Sequence, residues 1–283
     1  DIKYPARNTI AECYTSIIND LTEAKGALGD DNDVYANEYT VSAFLARVYL
    51  HKGDYANALA EADNVIGSGK YSLPTSVELA FNSESSSPES IFEIQQNTQN
   101  NAGTSNDGLT TFYSCDKATP GSAGRGDIQI DQKFMDLYEV DDKRLTLLIY
   151  TGDCNKGSTT SAKWHDPYVN IPVIRLSEMY LIRAEANVRL SSTVGDDPLN
   201  DVNAIRSKAG ASAYGAVTLD DILLERELEL AFEGQRIHDF KRTGKVITYN
   251  SNPLDYTAPQ FILPIPQSEL NTNKNIQQNT YYK

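Results

Sequence analysis

The sequence contains little that would place it inside a membrane or on nucleic acid. No run reaches the roughly 18–20 uncharged apolar residues that a membrane-spanning helix needs. The N-terminus also lacks the basic and then apolar segments of a signal peptide. Lysine and arginine number 25 against 39 aspartate and glutamate residues, which gives a net charge of −14. Since phosphate groups repel such an acidic surface, we expect neither nucleic acid nor an anionic lipid surface as a partner.

Cysteine and histidine are too few and too scattered to predict a metal centre. Cys13, Cys115 and Cys154 form no CxxC pair, so neither a disulfide framework nor a zinc site is expected. Catalytic signatures are missing too: there is no GxSxG, no HExxH, no phosphate-binding glycine loop and no dinucleotide-binding fingerprint. We therefore predict a protein that is not an enzyme and needs no cofactor, and the sequence leaves a structural calcium ion open.

Helical periodicity begins early in the chain. Between Thr9 and Leu28, apolar residues recur at alternating spacings of four and three, which places them on one face of a helix. Thr9 and Glu12 form a capping box at its start, and Gly29 suits its C-terminal cap. The pattern predicts an amphipathic helix.

Two further helices are predicted to form a tetratricopeptide-like hairpin. The first runs from about Thr40 to His51, and after Gly53 turns the chain, Asp54 caps the second. Small and large residues fall at the offsets where such repeats bring two helices close together. These residues are Leu45, Ala46, Tyr49, Ala58 and Ala62. A single hairpin cannot bury its own face, so neighbouring helices, including the one from Thr9, should stack on it.

The character of the chain changes between residues 71 and 172. Serine, asparagine, glycine, threonine and glutamine dominate, and only the short apolar runs Ile91–Ile94 and Leu147–Tyr150 favour strands. One short helix is predicted at Phe134–Tyr138. A loop-rich segment of this length inside a helical domain is typical of a functional surface, so we expect the ligand-binding segment here.

Helices return at Val173. Apolar residues cover almost all sides of the helix predicted from this position, so it should be buried between others. Its charged residues then need partners. Arg175 with Glu178, and Glu185 with Arg189, have the spacing of ion pairs within a helix.

Two more helices follow. Asp197 and Pro198 give the first a strong start signal, and the second is predicted over Thr218–Gln235. The second carries a row of carboxylates at spacings of four, which repel each other by a few tenths of a kcal/mol per pair. The row consists of Glu225, Glu229 and Glu233. No histidine shares it, so we predict neutralisation by arginines rather than a metal or acid–base site. The candidate arginines are Arg183, Arg206 and Arg236.

Several ordered segments of the C-terminal region resemble one protein family. They are residues 175–186 (RLSEMYLIRAEA), 199–200 (LN), 205–210 (IRSKAG), 225–236 (ERELELAFEGQR), 239–242 (DFKR), 263–266 (LPIP) and 278–279 (QN). In this order, and together with the tetratricopeptide-like section, they are similar to the SusD/RagB family. The resemblance covers nearly the whole chain.

The resemblance implies a fold, a location and a role. The fold is mostly α and forms one compact domain. Tetratricopeptide-like helices (residues 1–70) and a C-terminal helical region (173–283) stack as a scaffold for the loop-rich segment (71–172), which contains a few short strands. Family members are lipoproteins on the outer face of an outer membrane that bind oligosaccharides or polysaccharides without cutting them. They pass the glycan to a TonB-dependent, SusC-like transporter.

Members of the family are usually longer, so this chain resembles their C-terminal portion. The lipid anchor and the N-terminal portion of the same protein would then lie outside it. Two alternatives remain. Tetratricopeptide stacks usually bind peptides, and some relatives handle them, so a peptide-binding scaffold is one. A glycoside hydrolase is the weaker one, because it needs two carboxylates across a cleft. Asp107, Asp116, Asp127 and Asp131 are available, but their spacing alone does not define such a pair.

Sugar binding needs an aromatic face for the apolar side of a pyranose, surrounded by amides, carboxylates and guanidinium groups. The loop-rich segment supplies all of these. The candidate binding residues are Asn101, Phe112, Tyr113, Asp116, Arg125, Trp164 and Tyr168. The competing interpretation is that the aromatic residues pack into the fold, and it applies most strongly to Trp164, the one tryptophan of the chain.

Overall fold

The computed structural model describes residues 4–31, 34–81, 86–102, 108–115, 124–151, 159–249 and 252–283. Helices dominate these residues, as the sequence predicts. The helices are α1 (Ile10–Ala27), α2 (Glu38–Lys52), α3 (Tyr55–Gly67), α4 (Leu109–Tyr113), α5 (Gln132–Met135), α6 (Lys143–Leu147), α7 (Leu176–Leu190), α8 (Pro198–Ala209), α9 (Leu219–Glu229), α10 (Arg236–Thr243) and α11 (Gln267–Thr272). The strands are β1 (Ser90–Ile94), β2 (Ile149–Thr151), β3 (Thr159–Ser161), β4 (Ile171–Arg175), β5 (Ile247–Tyr249) and β6 (Asn252–Leu254). Within the described ranges, every helix is too short or too polar to span a bilayer.

Helix α1 begins at its predicted capping box. The backbone N–H of Glu12 donates to Oγ1 of Thr9 at 3.2 Å, and the N–H of Thr9 donates to Oε2 of Glu12 at 2.7 Å. The helix is capped by Leu28 in an extended conformation, not by Gly29 as predicted. It packs against α2 as expected, but Ile10 and Ile17 of its apolar stripe remain exposed.

Helices α2 and α3 form the predicted hairpin. Gly53 turns the chain with a positive φ of 80°, and the Asp54 side chain accepts a hydrogen bond from the N–H of Asn57 at 3.4 Å. Alanines at the helix contacts have no exposed surface, so α2, α3 and α7 approach closely. Their shared core consists of Ala43, Ala46, Leu50, Ala58, Ala62, Val65, Ile91, Ile174, Leu176, Met179 and Ile182.

The helix predicted from Val173 begins three residues later, at Leu176. The preceding residues form β4, which pairs antiparallel with β1. The donors of the first helical turn find their acceptors on Glu89, since Leu176 N–H donates to its carbonyl at 2.8 Å and Ser177 N–H to its carboxylate at 3.3 Å. Glu89 lies more than 80 residues away in sequence, so no local pattern could reveal this boundary.

The loop-rich segment contains the few short strands that were predicted, with shifted boundaries. Strand β2 starts at Ile149 rather than at Leu147, because Lys143–Leu147 forms helix α6. It pairs antiparallel with β3. The helix predicted at Phe134–Tyr138 is α5, two residues earlier. Cys115 is disulfide-bonded, a bond that the cysteine spacing did not indicate, while Cys13 is free.

Helices α8 and α9 start where the sequence predicts. Asp197 caps α8 ahead of Pro198, and Thr218 caps α9. Helix α9 ends at Glu229 rather than near Gln235. Its last carbonyl accepts hydrogen bonds from side chains of two other segments, and three residues later Phe232 takes a positive φ of 65°.

Candidate functional site

Three pieces of the loop-rich segment meet around a small cavity, which we call the loop cavity. They are residues 96–102, helix α4 with its preceding glycine, and residues 163–171. The cavity holds about 20 Å³, room for about one water molecule, so a larger ligand would lie across its mouth. Side chains that define it include Gln96, Leu109, Trp164, Asp166 and Asn170.

A compact amide-rich turn forms one wall of the site. The Asn97 side chain accepts hydrogen bonds from the N–H groups of Gln99 and Asn100 at 2.8 and 2.9 Å, the usual way in which asparagine stabilises a turn. Asn101 donates through Nδ2 to the carbonyl of Asn97 at 2.8 Å. The predicted residue Asn101 is thus held at the edge of the site, next to Ala102, which lines the loop cavity.

Asn170 links this turn to strand β1, and sequence reasoning missed it. Its Oδ1 accepts from the N–H of Gln96 at 2.9 Å, while its Nδ2 donates to the carboxylate of Glu93 at 2.6 Å and to Oε1 of Gln95 at 3.2 Å. The one sequence signal for a binding role of Asn170 is its position in the polar loop directly before β4. Asn170 lies between two glutamine residues and the carboxylate of Glu93.

The two aromatic candidates of residues 163–171 differ in exposure. Trp164 is 6% exposed, packs edge-on against Phe81 at 5.4 Å between ring centres, and donates through Nε1 to the carbonyl of Phe232 at 3.3 Å. Tyr168 is 40% exposed, and its N–H donates to Asp166 at 2.8 Å. Tyr168 therefore offers the accessible aromatic face, while Trp164 supports the site from below.

The remaining candidates lie on and beside α4. Phe112 and Arg125 form a cation–π contact at 5.2 Å, and Nε of Arg125 donates to Asp127 at 2.9 Å. The ring of Tyr113 meets Phe232 edge-on at 6.2 Å. None of Phe112, Tyr113 and Arg125 lines the loop cavity. Tyr168 does not line it either, although its chain neighbours Pro167 and Val169 do. Asp116 lies outside the described residues.

Beneath the site lies a buried ion network of five cations and five carboxylates, counted within the described ranges. The cations are Arg144, Lys163, Arg175, Arg206 and Lys208, and the carboxylates are Glu89, Asp142, Glu225, Glu229 and Glu233. Lys163, the neighbour of Trp164, donates to the carboxylate of Glu233 at 2.7 Å and to the carbonyl of Glu229 at 2.9 Å. The network therefore anchors residues 163–171 to the end of α9.

Glu229 is the centre of the network. Its carboxylate contacts Lys208 at 2.6 Å, Arg175 at 2.8 Å and Arg144 at 3.1 Å. Burial opposes its ionisation, but these cations together hold the pKa of Glu229 well below its ordinary value. A carboxylate of this kind is a permanent anion and a poor candidate for acid–base chemistry.

Cations neutralise the carboxylate row, as predicted. Of the three arginines named as candidates, only Arg206 takes part, and its Nη1 lies 3.0 Å from Oε2 of Glu225. Arg183 pairs with Asp201 and Asp63 instead, and Arg236 pairs with Glu227. The other cations come from distant segments, which no helical spacing could indicate. In the described part of the chain, no group of three or more His, Cys, Asp or Glu side chains is arranged to hold a metal ion.

One of the two predicted pairs within α7 forms. Glu185 and Arg189 meet at 2.8 Å. Glu178 instead pairs with Arg47 at 2.6 Å, because Arg175 belongs to β4 and turns towards the buried ion network.

Comparison with known proteins identifies the architecture. The family model of the SusD family matches residues 150–282. The starch-binding protein SusD of Bacteroides thetaiotaomicron is 25% identical over 376 aligned positions, which cover 99% of this chain and 67% of that protein. A SusD-like protein P2 of Formosa agariphila is 26% identical over 95% of this chain and 64% of its own length. The chain thus spans about two thirds of the length of these relatives.

Solved structures agree with this assignment. A putative sugar binding protein from Bacteroides vulgatus superposes with a TM-score of 0.84 at 31% identity, covering 99% of this chain and 68% of that one. A SusD superfamily protein from Bacteroides thetaiotaomicron gives a TM-score of 0.78 at 29% identity, covering 98% and 68%. Sequence, fold and coverage all point the same way, and the chain belongs to the SusD/RagB family.

Proposed function

We propose that the chain is the glycan-binding part of a cell-surface protein, and that it binds oligosaccharides or polysaccharides at the mouth of the loop cavity. The observation that carries the proposal is the 40% exposure of Tyr168, whose chain neighbours Pro167 and Val169 line the loop cavity together with the polar side chains of Asp166, Gln96 and Asn170. A pyranose presents an apolar face that stacks on such a ring, and its hydroxyl groups pair with amides and carboxylates. Asn101 extends the polar rim.

The proposed role is capture rather than cleavage. Of the carboxylates considered for hydrolysis, Asp127 is paired with Arg125, and Asp131 caps α5 by accepting from the N–H of Lys133 at 3.0 Å. Both carboxylates therefore already have a partner within the protein. Relatives that carry a functional name are named as binding proteins, which supports the same role.

We place the whole protein on the outer face of an outer membrane, held there by a lipid anchor. From this position it would pass captured glycan to a TonB-dependent, SusC-like transporter. The N-terminal portion of the same protein is its proposed intramolecular partner. The exposed apolar residues of α1, Ile10 and Ile17, are available for that contact.

Affinity gel electrophoresis tests the proposal. The purified chain is run in gels that contain amylopectin, xyloglucan, arabinoxylan, pectic galactan, yeast mannan or mucin. At least one polysaccharide should retard it, and Tyr168→Ala should reduce that retardation without changing the melting temperature. Tyr256→Ala is the matched control, because Tyr256 is similarly exposed and lies outside the site. Failure of every polysaccharide to retard the protein would refute the proposed function.

A further inference from the structure

A second and larger cleft lies between the α1–α2 connection and strand β1. We call it the β1 cleft. Its volume is about 390 Å³, within the ~300–1,000 Å³ range of small-ligand pockets. Both aromatic rings and polar groups line it, and they include Asp30, Tyr35, Lys70, Tyr71, Phe92 and Gln95.

The aromatic surface of the β1 cleft is accessible. The ring of Tyr35 is 72% exposed, an unusual position for a tyrosine that serves only packing. Tyr71 and Phe92 line the same cleft and are half-buried. Together they offer an exposed platform beside a sheltered apolar wall, the arrangement that suits a ring with one apolar face.

The polar groups of the cleft are fixed in advance by hydrogen bonds. Asn37 donates through Nδ2 to the hydroxyl of Tyr71 at 3.2 Å, and Lys70 contacts Asp30 at 3.1 Å and donates to its carbonyl at 2.7 Å. Because these donors and acceptors are already positioned, a polyhydroxylated ligand would bind without first ordering them.

The β1 cleft and the loop cavity are linked through Asn170. Glu93 and Gln95 line the cleft, and both accept from Nδ2 of Asn170, which lines the loop cavity. One asparagine side chain therefore separates the two. A ligand long enough to extend along β1 would contact both.

We propose that the β1 cleft is a second saccharide subsite, so that the protein binds an extended glycan chain across Tyr168, Asn170 and Tyr35 rather than a single sugar unit. This inference rests on the proposed function and deepens it. Among the described residues that line the cleft, three are carboxylates, Asp30, Asp31 and Glu93, and one is an ammonium group, Lys70. An anionic glycan would be repelled, so the ligand class is a neutral oligosaccharide.

The experiment uses titration calorimetry with oligosaccharides prepared from whichever polysaccharide of the panel retards the protein. Wild-type affinity should rise between the trisaccharide and the hexasaccharide, as the chain reaches the second subsite. Tyr35→Ala should lower affinity for the hexasaccharide about tenfold, the effect of one aromatic contact, and leave trisaccharide affinity unchanged. Tyr168→Ala should weaken both. Tyr281→Ala, a similarly exposed tyrosine outside both cavities, is the control.

The outcomes separate the two proposals. If no polysaccharide binds the wild-type protein, the proposed function and the second subsite both fail. If Tyr168→Ala weakens binding but Tyr35→Ala matches the wild type with the hexasaccharide, only the second subsite is refuted. Tighter binding of a polygalacturonate fragment than of neutral oligosaccharides, or of an unglycosylated peptide than of either, would overturn the ligand class.

Discussion

Arg175 at the end of β4 donates through Nη1 to Oε1 of Glu229 at the end of α9 across 2.8 Å, and neither side chain is more than 3% exposed. The contact joins a strand of the sheet to a helix of the scaffold at a point from which water is excluded. Each charge is tolerable there because groups of opposite charge surround it.

Replacement of Glu229 should therefore test the structural role of the buried ion network. Glu229→Ala leaves Arg144, Arg175 and Lys208 without their shared carboxylate, and the expected loss is about 3–5 kcal/mol in the free energy of unfolding. Chemical denaturation measures it. Glu269→Ala, at an exposed glutamate of α11, should change stability by less than about 0.5 kcal/mol. If Glu229→Ala abolished glycan binding at an unchanged melting temperature, the carboxylate would belong to a ligand site instead.

Acid should destabilise the fold through His51. Its ring stacks on His238 with 4.7 Å between centres, and its Nε2 is buried with no hydrogen-bond partner in the described part of the chain. Burial, the neighbouring His238 and Arg226 lower the pKa of His51 to about 4, against the opposing effect of Glu178 and Asp239. The unfolded chain takes up a proton near pH 6.5 and the folded protein does not, so stability is lost as the pH falls from 6.5 towards 4.

His51→Phe keeps the aromatic stack and removes this titration. Each pH unit below 6.5 costs the wild type about 1.4 kcal/mol at this group. Relative to the wild type, the variant should therefore gain about 2 kcal/mol of unfolding free energy between pH 7 and pH 5. Between pH 8 and pH 7 the difference should stay constant, which serves as the internal control. Parallel pH profiles for the two proteins would contradict the prediction.

Gly195 should tolerate no side chain. A Cβ at this position would lie 2.0 Å from Oδ1 of Asp63 and 2.6 Å from Nη1 of Arg183, and the residue has a φ of 78°. We expect Gly195→Ala to break the Arg183–Asp63 pair and to destabilise the protein by about 2 kcal/mol or more. Gly215→Ala is the control, because its Cβ would meet nothing within 4 Å. Equal melting temperatures for the two variants would show that the loop around Gly195 can move aside.

Trp164 should behave as a packing residue. With 6% exposure and an edge contact with Phe81, its loss in Trp164→Ala should cost about 3–5 kcal/mol. Fluorescence comes from this one indole, and its emission should hardly change when glycan saturates the protein. A large emission shift, together with lost affinity in a variant of normal stability, would place Trp164 in direct contact with sugar.

Local signals in the sequence were sufficient for the scaffold. The capping box at Thr9, the Asp197–Pro198 start and the left-handed turn at Gly53 each depend on residues a few positions apart, and each is found where predicted. The end of α9 was mispredicted, because Glu229 receives its hydrogen bonds from Lys163 and Arg175, and no spacing along the helix encodes them.

The candidate site was less predictable for the same reason. Composition supplied Tyr168 and Asn101 as candidates in the loop-rich segment, and their role in binding stays a prediction. It could not distinguish the exposed Tyr168 from the buried Trp164. Asn170 was missed because its importance arises from contact with residues of β1, more than 70 positions earlier in the chain.

The wide sequence separation within the buried ion network has a consequence for how the chain folds. Lys208 meets a carboxylate 119 positions away, and Arg144 meets one 85 positions away. Such distant contacts form late and slowly, because a long loop must lose entropy on closing before the contact adds stability. A partly assembled version would enclose unpaired charges in a dry interior. The loop-rich segment and the C-terminal helices should therefore become native in one cooperative step, without a stable intermediate in which only one of them is folded.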